Sequence, residues 1–189
     1  MSVLCSPSDC HVGGYTSQTA NSLPITLMKG NDDVEYSVVK ILQEHLSDPA
    51  SYSLSPYESD NTMTITTACS YDKIRTAALR DGVAIKISSG FRVLARQQYF
   101  YDCYITQQCN DGNFAAVPGT SNHGTGIALD LNTNCGKQTD EKPPAECQTS
   151  DVYQWLYENG HNYGFVRTVK SEPWHWEYRG IGVQRPDWA

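Results

Sequence analysis

Apolar residues along this chain recur at helical spacing in some segments and alternate in others, which predicts a succession of short elements. Helical spacing over 33–46, read as DVEYSVVKILQEHL, predicts a first helix. A second helix is predicted over 70–82, with Ser70 as its N-cap and Gly82 just past its end. Residues 1–33 show no sustained periodicity and are expected to wrap the surface.

The middle of the chain is predicted to place a charged residue at the end of a strand. Alternation over 83–92 (VAIKISSGFR) predicts a strand that ends at Arg92. Helical spacing resumes from Val93 to about Tyr104. A loop rich in Gly, Asn and Pro then runs over 106–122, and loops of that length inside compact domains are usually functional.

The last third alternates strands with one helix. A polar segment bounded by cysteines follows the first of these strands. Because helices are interleaved with short strands that can pair antiparallel, we expect an α+β fold with a small antiparallel sheet flanked by helices. The predicted segments are the strand 126–132, the polar segment 135–147, the helix 150–164 capped by Ser150 or Asp151, and the strands 164–169 and 174–178.

Length and charge limit the classes of function. The 189 residues suit one domain, 1–189, with a substantial core. A net charge of -7 argues against nucleic acid or an anionic membrane as partner. No apolar run reaches the roughly 20 residues of a membrane-spanning helix, and residues 1–10 lack the apolar core of a signal peptide. An export signal is therefore expected to be either removed or never present.

Seven cysteines are many for this length, and none forms a CxxC pair. The close spacings Cys103/Cys109 and Cys135/Cys147 indicate short disulfide loops and an oxidising compartment. The odd total leaves one thiol, which we expect among Cys5, Cys10 and Cys69. Buried, reduced cysteines in a cytosolic protein are the alternative.

The segment SNHGTGIALD places His123 seven residues before Asp130. On a strand, Asp130 lies on the opposite face to the apolar residues beside it, so its carboxylate faces a cleft. Gly124 and Gly126 let the chain turn tightly enough for His123 and Asp130 to bind one metal ion together.

A second segment, SEPWHWEY, alternates aromatic residues with His175 and Glu177. Hydrolytic zinc sites take three protein ligands from His, Asp and Glu and leave one position for water. His123, Asp130 and His175 would complete such a set. We assign Glu172 as the general base and acid for that water, and Glu177 as a supporting residue.

Arg92 is the candidate electrophile, because a guanidinium keeps its charge and suits a developing oxyanion or a substrate carboxylate. Gln97, five residues later, would lie on the following helix near the same cleft. His161, in ENGHNYGF, is expected to be structural rather than a metal ligand.

Taken together, SGFRVLARQ, SNHGTGIALD, WLYENGHNYGF and EPWHW resemble the VanY-like zinc D-alanyl-D-alanine carboxypeptidases. Their superfamily also contains lysostaphin-type peptidases and hedgehog. The resemblance spans roughly 83–180, which it marks as the metallopeptidase core, and leaves 1–60 as a variable N-terminal part. It implies a hedgehog/DD-peptidase-like fold.

The same resemblance implies roles for individual residues and one Zn²⁺ per chain. The residues are the metal ligands His123, Asp130 and His175, the catalytic base Glu172, Arg92 for the tetrahedral intermediate, and Gln97 and Ser121 for substrate binding.

The function implied is removal of the terminal D-alanine from peptidoglycan stem peptides or precursors, by a secreted or cell-envelope enzyme that we expect to be a monomer. Two alternatives stay open. One is an L-alanyl-D-glutamate peptidoglycan endopeptidase. The other is a binding module that keeps zinc without catalysis, against which the presence of Glu172 and Arg92 argues.

Overall fold

The computed structural model describes residues 25–51 and 61–188, in which helices alternate with short antiparallel strands. The α+β class is therefore confirmed. The strands are β1 (Thr26–Lys29), β2 (Glu35–Lys40), β3 (Thr62–Thr64), β4 (Ile87–Ser89), β5 (Ala128–Leu131), β6 (Phe165–Arg167) and β7 (His175–Tyr178). The α-helices are α1 (Ile65–Arg80), α2 (Leu94–Thr106), α3 (Ala145–Gln148) and α4 (Asp151–Asn159).

The strands form two antiparallel sheets rather than one. The larger sheet has the order β4-β5-β7-β6, and the smaller has the order β1-β2-β3. The core lies between the larger sheet and the helices, and α1, α4 and the apolar faces of β5 and β7 contribute to it. Its fully buried members include Tyr71, Ile74, Leu129, Leu156 and Phe165.

The predicted helix over 33–46 is wrong. Residues 35–40 form β2, the middle strand of the smaller sheet, and Gln43–His45 form a single 3₁₀ turn. Val38 and Val39 are both buried, so the alternation that identifies a strand with one exposed face is absent. Their β-branched side chains favour the strand, although the apolar spacing imitates a helix.

Helix α1 begins earlier than predicted. Its N-cap is Thr64, whose hydroxyl accepts a hydrogen bond from the Thr67 amide at 3.4 Å, so the prediction of Ser70 as N-cap is wrong. The Ser70 hydroxyl instead donates to the Thr66 carbonyl oxygen one turn back. The prediction for the other end is confirmed, because Gly82 follows the helix at a φ of +81°.

The other predicted elements near the cleft are present with shorter strands. Of the predicted strand 83–92, Ile87–Ser89 form β4 and Phe91 forms an isolated antiparallel bridge with Thr62, so Arg92 directly follows the last paired residue. Helix α2 extends two residues past Tyr104. Ser150 caps α4 by accepting a hydrogen bond from the Tyr153 amide at 3.1 Å.

Two predicted disulfides are present, Cys103–Cys109 and Cys135–Cys147. Cys69 is also disulfide-bonded. Cys5 and Cys10 lie outside the described residues, as does most of the segment 1–33. Among the residues that the structure describes, no helix combines the length and apolar character needed to cross a membrane.

His45 makes the stability of the fold depend on pH. Burial, followed by the charges of Arg75 and Lys86, lowers the pKa of His45 to about 4. The unfolded chain therefore binds a proton at this residue more readily than the folded chain does. The contribution of neutral His45 is complete above a pH of about 6.5 and is lost as the pH falls towards 4.

We expect the free energy of unfolding to fall by up to about 3 kcal/mol between pH 6.5 and 4 because of this residue. Urea unfolding of the wild type and of His45→Gln, with a chelator present, measures the difference. The variant should lose less stability than the wild type over this range. Parallel pH profiles for the two proteins would contradict the assignment.

Candidate metal centre and catalytic cleft

The pairing of β5 with β7 brings the predicted ligands together. Asp130 lies directly opposite His175 in the antiparallel register. His123 lies in the 3₁₀ turn Asn122–Thr125, just before β5. One potential ligand atom from each of these three residues lies within 4.8 Å of the other two.

The turn before β5 depends on its glycines and on α1. Gly126 ends the turn at a φ of +76°, in the left-handed region that favours glycine. A Cβ atom on Gly124 would overlap the Asn31 side chain. The hydroxyls of Thr64 and Thr67 donate to the Gly126 carbonyl oxygen at 2.6 and 2.5 Å. The N-terminus of α1 therefore anchors the turn that carries His123.

Each histidine ring is oriented by an acceptor on the side away from the cluster. His123 Nδ1 lies 2.7 Å from the Gly90 carbonyl oxygen, so this nitrogen carries the proton and donates it. That tautomer leaves His123 Nε2 as a lone-pair donor, 3.3 Å from Asp130 Oδ1. His175 Nε2 lies 3.0 Å from Glu177 Oε1, which directs Nδ1 to Asp130 Oδ1 at 3.2 Å. Ring orientation of this kind is typical of metal-binding histidines.

Glu177 is a fully buried carboxylate with several partners. It accepts hydrogen bonds from Asn122 Nδ2 at 2.5 Å and from Arg179 Nε at 2.8 Å, in addition to its contact with His175. Burial would raise the pKa of Glu177, but the hydrogen bond with His175 and the charges of Arg179 and His175 lower this pKa to about 2. Glu177 is therefore ionised, and it fixes His175 from behind, as its predicted supporting role requires.

Electrostatic interactions within the cluster favour the ionised forms of both Asp130 and His175. Burial would raise the pKa of Asp130, but the adjacent His123 and His175 rings hold it well below its ordinary value. Burial would lower the pKa of His175, but the Asp130 and Glu177 carboxylates raise it to about 9. The cluster thus attracts a cation, and a metal ion bound there would replace a proton on His175.

Glu172 and Arg92 border the same cleft as the cluster. Glu172 Oε2 lies 3.8 Å from His175 Nδ1, and its side chain is 37% exposed. Arg92 donates to Gln97 Oε1 at 3.0 Å and to Ser89 Oγ at 3.3 Å, and its guanidinium lies over the Phe100 ring. The five predicted catalytic and ligand residues therefore meet at one place.

The two predicted substrate-binding residues have different surroundings. Ser121 lines the cleft, next to His123. Gln97 is 1% exposed and does not line the cleft, because its side chain is engaged with Arg92 and with the Ala116 carbonyl oxygen at 2.6 Å. This geometry favours an indirect role for Gln97, in which it holds Arg92 and the adjacent loop.

The cleft has a volume of about 580 Å³ and contains residues that the sequence motifs did not single out. Aromatic side chains border it, and one of them, Phe114, is 76% exposed on the loop after the Cys103–Cys109 disulfide. Trp174 also lines the cleft, whereas Trp176 and Tyr178 belong to the core. The length of the loop 106–122 was the sequence signal that this loop, which carries Phe114, has a functional position. The lining residues not predicted include Ser88, Phe100, Asn110, Phe114, Thr120, Asn122, Val169 and Trp174.

The donor set suits a catalytic zinc ion. Two imidazole nitrogens and one carboxylate oxygen form the three-ligand set that leaves a fourth position open to water. The three side chains line the cleft, and the Gly90 carbonyl oxygen and the Glu177 carboxylate lie behind the two rings, so a metal ion held there would be accessible from the cleft.

Known proteins similar to this chain identify its family. A family model described as VanY, D-alanyl-D-alanine carboxypeptidase, matches residues 60–181. The D-alanyl-D-alanine carboxypeptidase of Enterococcus faecalis (strain ATCC 700802 / V583) is 28% identical over an alignment of 197 positions, gaps included, which covers 90% of this chain and 70% of the relative.

Solved structures are also similar to this chain. The LdcB LD-carboxypeptidase is similar with a TM-score of 0.54 at 22% identity, covering 93% of this chain and 79% of that one. This likeness concerns the fold, and it agrees with the expected peptidase-like architecture. A mutant of the vancomycin resistance D,D-pentapeptidase VanY in complex with Zn(II) is 29% identical, with a TM-score of 0.47, covering 70% of this chain and 83% of that one.

The matching family model covers about two thirds of the chain and includes every residue of the cluster and of its cleft. The predictions of the family and of an enzyme are therefore confirmed: the chain belongs to the VanY family of D-alanyl-D-alanine carboxypeptidases.

Proposed function

We propose that this chain is a zinc-dependent D,D-carboxypeptidase that removes the terminal D-alanine from peptidoglycan stem peptides or their precursors. The observation that carries the proposal is the meeting of His123, Asp130 and His175 with Glu172 and Arg92 around one cleft, in a member of this family. One zinc ion per chain would be held by His123 Nε2, an Asp130 carboxylate oxygen and His175 Nδ1. When bound, zinc supplies Lewis acidity and lowers the pKa of a water molecule.

Glu172 is the proton carrier in this proposal. Its carboxylate borders the cluster without belonging to the three-residue set, which leaves it free to accept a proton from the attacking water. The same carboxylic acid then delivers that proton to the leaving amine of D-alanine. The partial exposure of the side chain supports this role, because it gives the carboxylate access to both the water and the substrate.

Arg92 supplies fixed positive charge to the cleft. Gln97, Ser89 and the Phe100 ring hold its guanidinium, so little reorganisation is needed when negative charge develops on the scissile carbonyl oxygen. A guanidinium also pairs with carboxylates through two parallel hydrogen bonds, which suits the free carboxylate at the end of a stem peptide. Both roles favour a carboxypeptidase.

We also propose an extracytoplasmic location, secreted or at the cell envelope. The disulfides Cys103–Cys109 and Cys135–Cys147 support it, because such bonds persist in oxidising compartments. The proposed substrate lies in the same compartment.

The function is tested by incubating the purified chain with a muramyl pentapeptide, with and without chelator. We expect chelator-sensitive release of single D-alanine residues. Mass analysis of digested peptidoglycan separates the alternative, because an L-alanyl-D-glutamate endopeptidase cuts the stem next to the sugar. If the chain binds zinc but neither releases D-alanine nor cuts the L-alanyl-D-glutamate bond, the non-catalytic binding module is the remaining alternative.

We expect His123→Ala to lose zinc on dialysis, because the variant removes one of three ligands. Zinc at about a hundred times its Kd should stabilise the wild type by about 3 kcal/mol, seen as a rise in Tm, and should leave the variant almost unchanged. His161→Ala is the matched control, because His161 lies in the turn Gly160–Tyr163 outside the cluster. Equal zinc stabilisation of His123→Ala and the wild type would exclude His123 as a ligand.

We expect Glu172→Ala to lower kcat by at least about a hundredfold while zinc content stays at the wild-type value. The reason is that Glu172 handles a proton but completes no part of the ligand set. Steady-state kinetics and metal analysis of the same preparation measure both quantities. Glu158→Gln, an exposed substitution on α4, controls for loss of a surface carboxylate. Loss of zinc from Glu172→Ala would contradict the assigned role.

A further inference from the structure

Arg167, on β6, is a buried cation that has no carboxylate partner among the described residues. Its side chain is 0% exposed, and its Nε atom has no hydrogen-bond partner. The ring faces of Tyr153 and Trp188 lie near its guanidinium, at 5.6 and 5.2 Å from the ring centroids. Burial lowers the pKa of Arg167, although a guanidinium stays protonated in proteins. Burying a charge without a counter-ion costs free energy, so the contacts that this guanidinium does make require an explanation.

Three segments are connected by the donors of Arg167. Its Nη1 donates to the Tyr153 hydroxyl on α4 at 2.8 Å. Its Nη2 donates to Gln138 Oε1 at 2.9 Å and to the Lys170 carbonyl oxygen at 2.8 Å. The guanidinium therefore joins α4, the segment closed by the Cys135–Cys147 disulfide and the loop 168–174 between β6 and β7.

Gln138 completes the connection between the last two segments. It is 3% exposed, and its amide group donates to the carbonyl oxygens of Asp140 and Glu141. Its backbone N–H donates to the Ser171 carbonyl oxygen at 3.0 Å. Arg167 and Gln138 thus donate hydrogen bonds to the carbonyl oxygens of Lys170 and Ser171, the two residues before Glu172.

The remaining backbone groups around Glu172 are also held. The Glu172 N–H donates to the Val169 carbonyl oxygen at 3.1 Å, and the His175 N–H donates to the Glu172 carbonyl oxygen at 3.0 Å. By contrast, the Glu172 carboxylate has one polar contact with the described residues, His175 Nδ1 at 3.8 Å. The position from which this side chain extends into the cleft is consequently set by its backbone rather than by hydrogen bonds of its carboxylate.

We infer that Arg167, assisted by Gln138, is a positioning residue that fixes the loop 168–174 so that the Glu172 carboxylate faces the His123–Asp130–His175 cluster. The inference rests on the proposed function for the role of Glu172, but the contacts of Arg167 are independent of that role. This role explains why a charge without a counter-ion is buried here. A planar guanidinium donates to Gln138 and to the Lys170 carbonyl oxygen at once, which no shorter polar side chain does.

A surface contact between the same two segments provides a matched control. Lys170 Nζ lies 2.7 Å from Glu141 Oε2, but the Glu141 side chain is 92% exposed. Exposed ion pairs contribute little to stability. Glu141→Gln therefore removes a contact between the polar segment and the loop without changing the buried hydrogen bonds.

The test is Arg167→Met, which keeps an unbranched apolar side chain in place of the arginine stem and removes the guanidinium. Small displacements of a catalytic group reduce turnover strongly, so we expect kcat to fall at least about tenfold with KM within about twofold and zinc content unchanged. Hydrogen exchange measured by mass spectrometry should speed up in peptides covering 168–174 and stay at the wild-type rate in peptides covering 120–132. Glu141→Gln should match the wild type in both measurements.

Gln138→Met is the second variant if Arg167→Met does not fold, and the same changes are expected to be smaller in it, because Arg167 keeps its bond to Lys170. A lower Tm with normal kcat and normal exchange in 168–174 would mean that Arg167 is only structural, and would overturn the inference. Exchange that increases equally across the whole chain would overturn it as well. If the wild type releases no D-alanine but Arg167→Met still shows faster exchange confined to 168–174, the proposed function fails and the positioning of the loop stands.

Discussion

The antiparallel register of β5 and β7 is the constraint on which the candidate site depends. It places Asp130 opposite His175, with the apolar residues Leu129 and Leu131 on the other face of β5 in the core. Because side chains alternate along a strand, a shift of one residue would turn Asp130 into the core and an apolar residue into the cleft. Burial of the core face therefore fixes the geometry of the ligand face, and no contact between the ligands themselves is needed to choose the register.

Rigid acceptors behind the histidines complete this geometry. The Gly90 carbonyl oxygen and the Glu177 carboxylate each occupy the ring nitrogen that faces away from the cluster. The negative charge of Glu177 is buried, and Arg179 and Asn122 offset the cost of its desolvation. The charged and polar groups that orient the candidate ligands are thus buried behind them, on the side away from the cleft.

The parts that the sequence predicted well are those with local signals. The alternation in GIALDLN and WHWEY and the glycines around His123 belong to short segments, so their strands and their outward-facing ligands were predictable. The strand β2 was not, because Val38 and Val39 are buried on both faces and their spacing also fits a helix. The surroundings of Gln97 and the cleft wall at Phe114 depend on how α2 and the loop 106–122 pack together, which no local pattern encodes.

The spacing of the three candidate ligands along the chain has a consequence for the assembly of the site. His123 and Asp130 are close in sequence, whereas His175 lies on the last strand, 45 residues after Asp130. During synthesis, His123 and Asp130 leave the ribosome before His175 does. The three residues can come together only once β7 has paired between β5 and β6. Formation of the complete candidate set is therefore coupled to the pairing of β7, and an ion taken up before that step would meet two of the three candidate ligands.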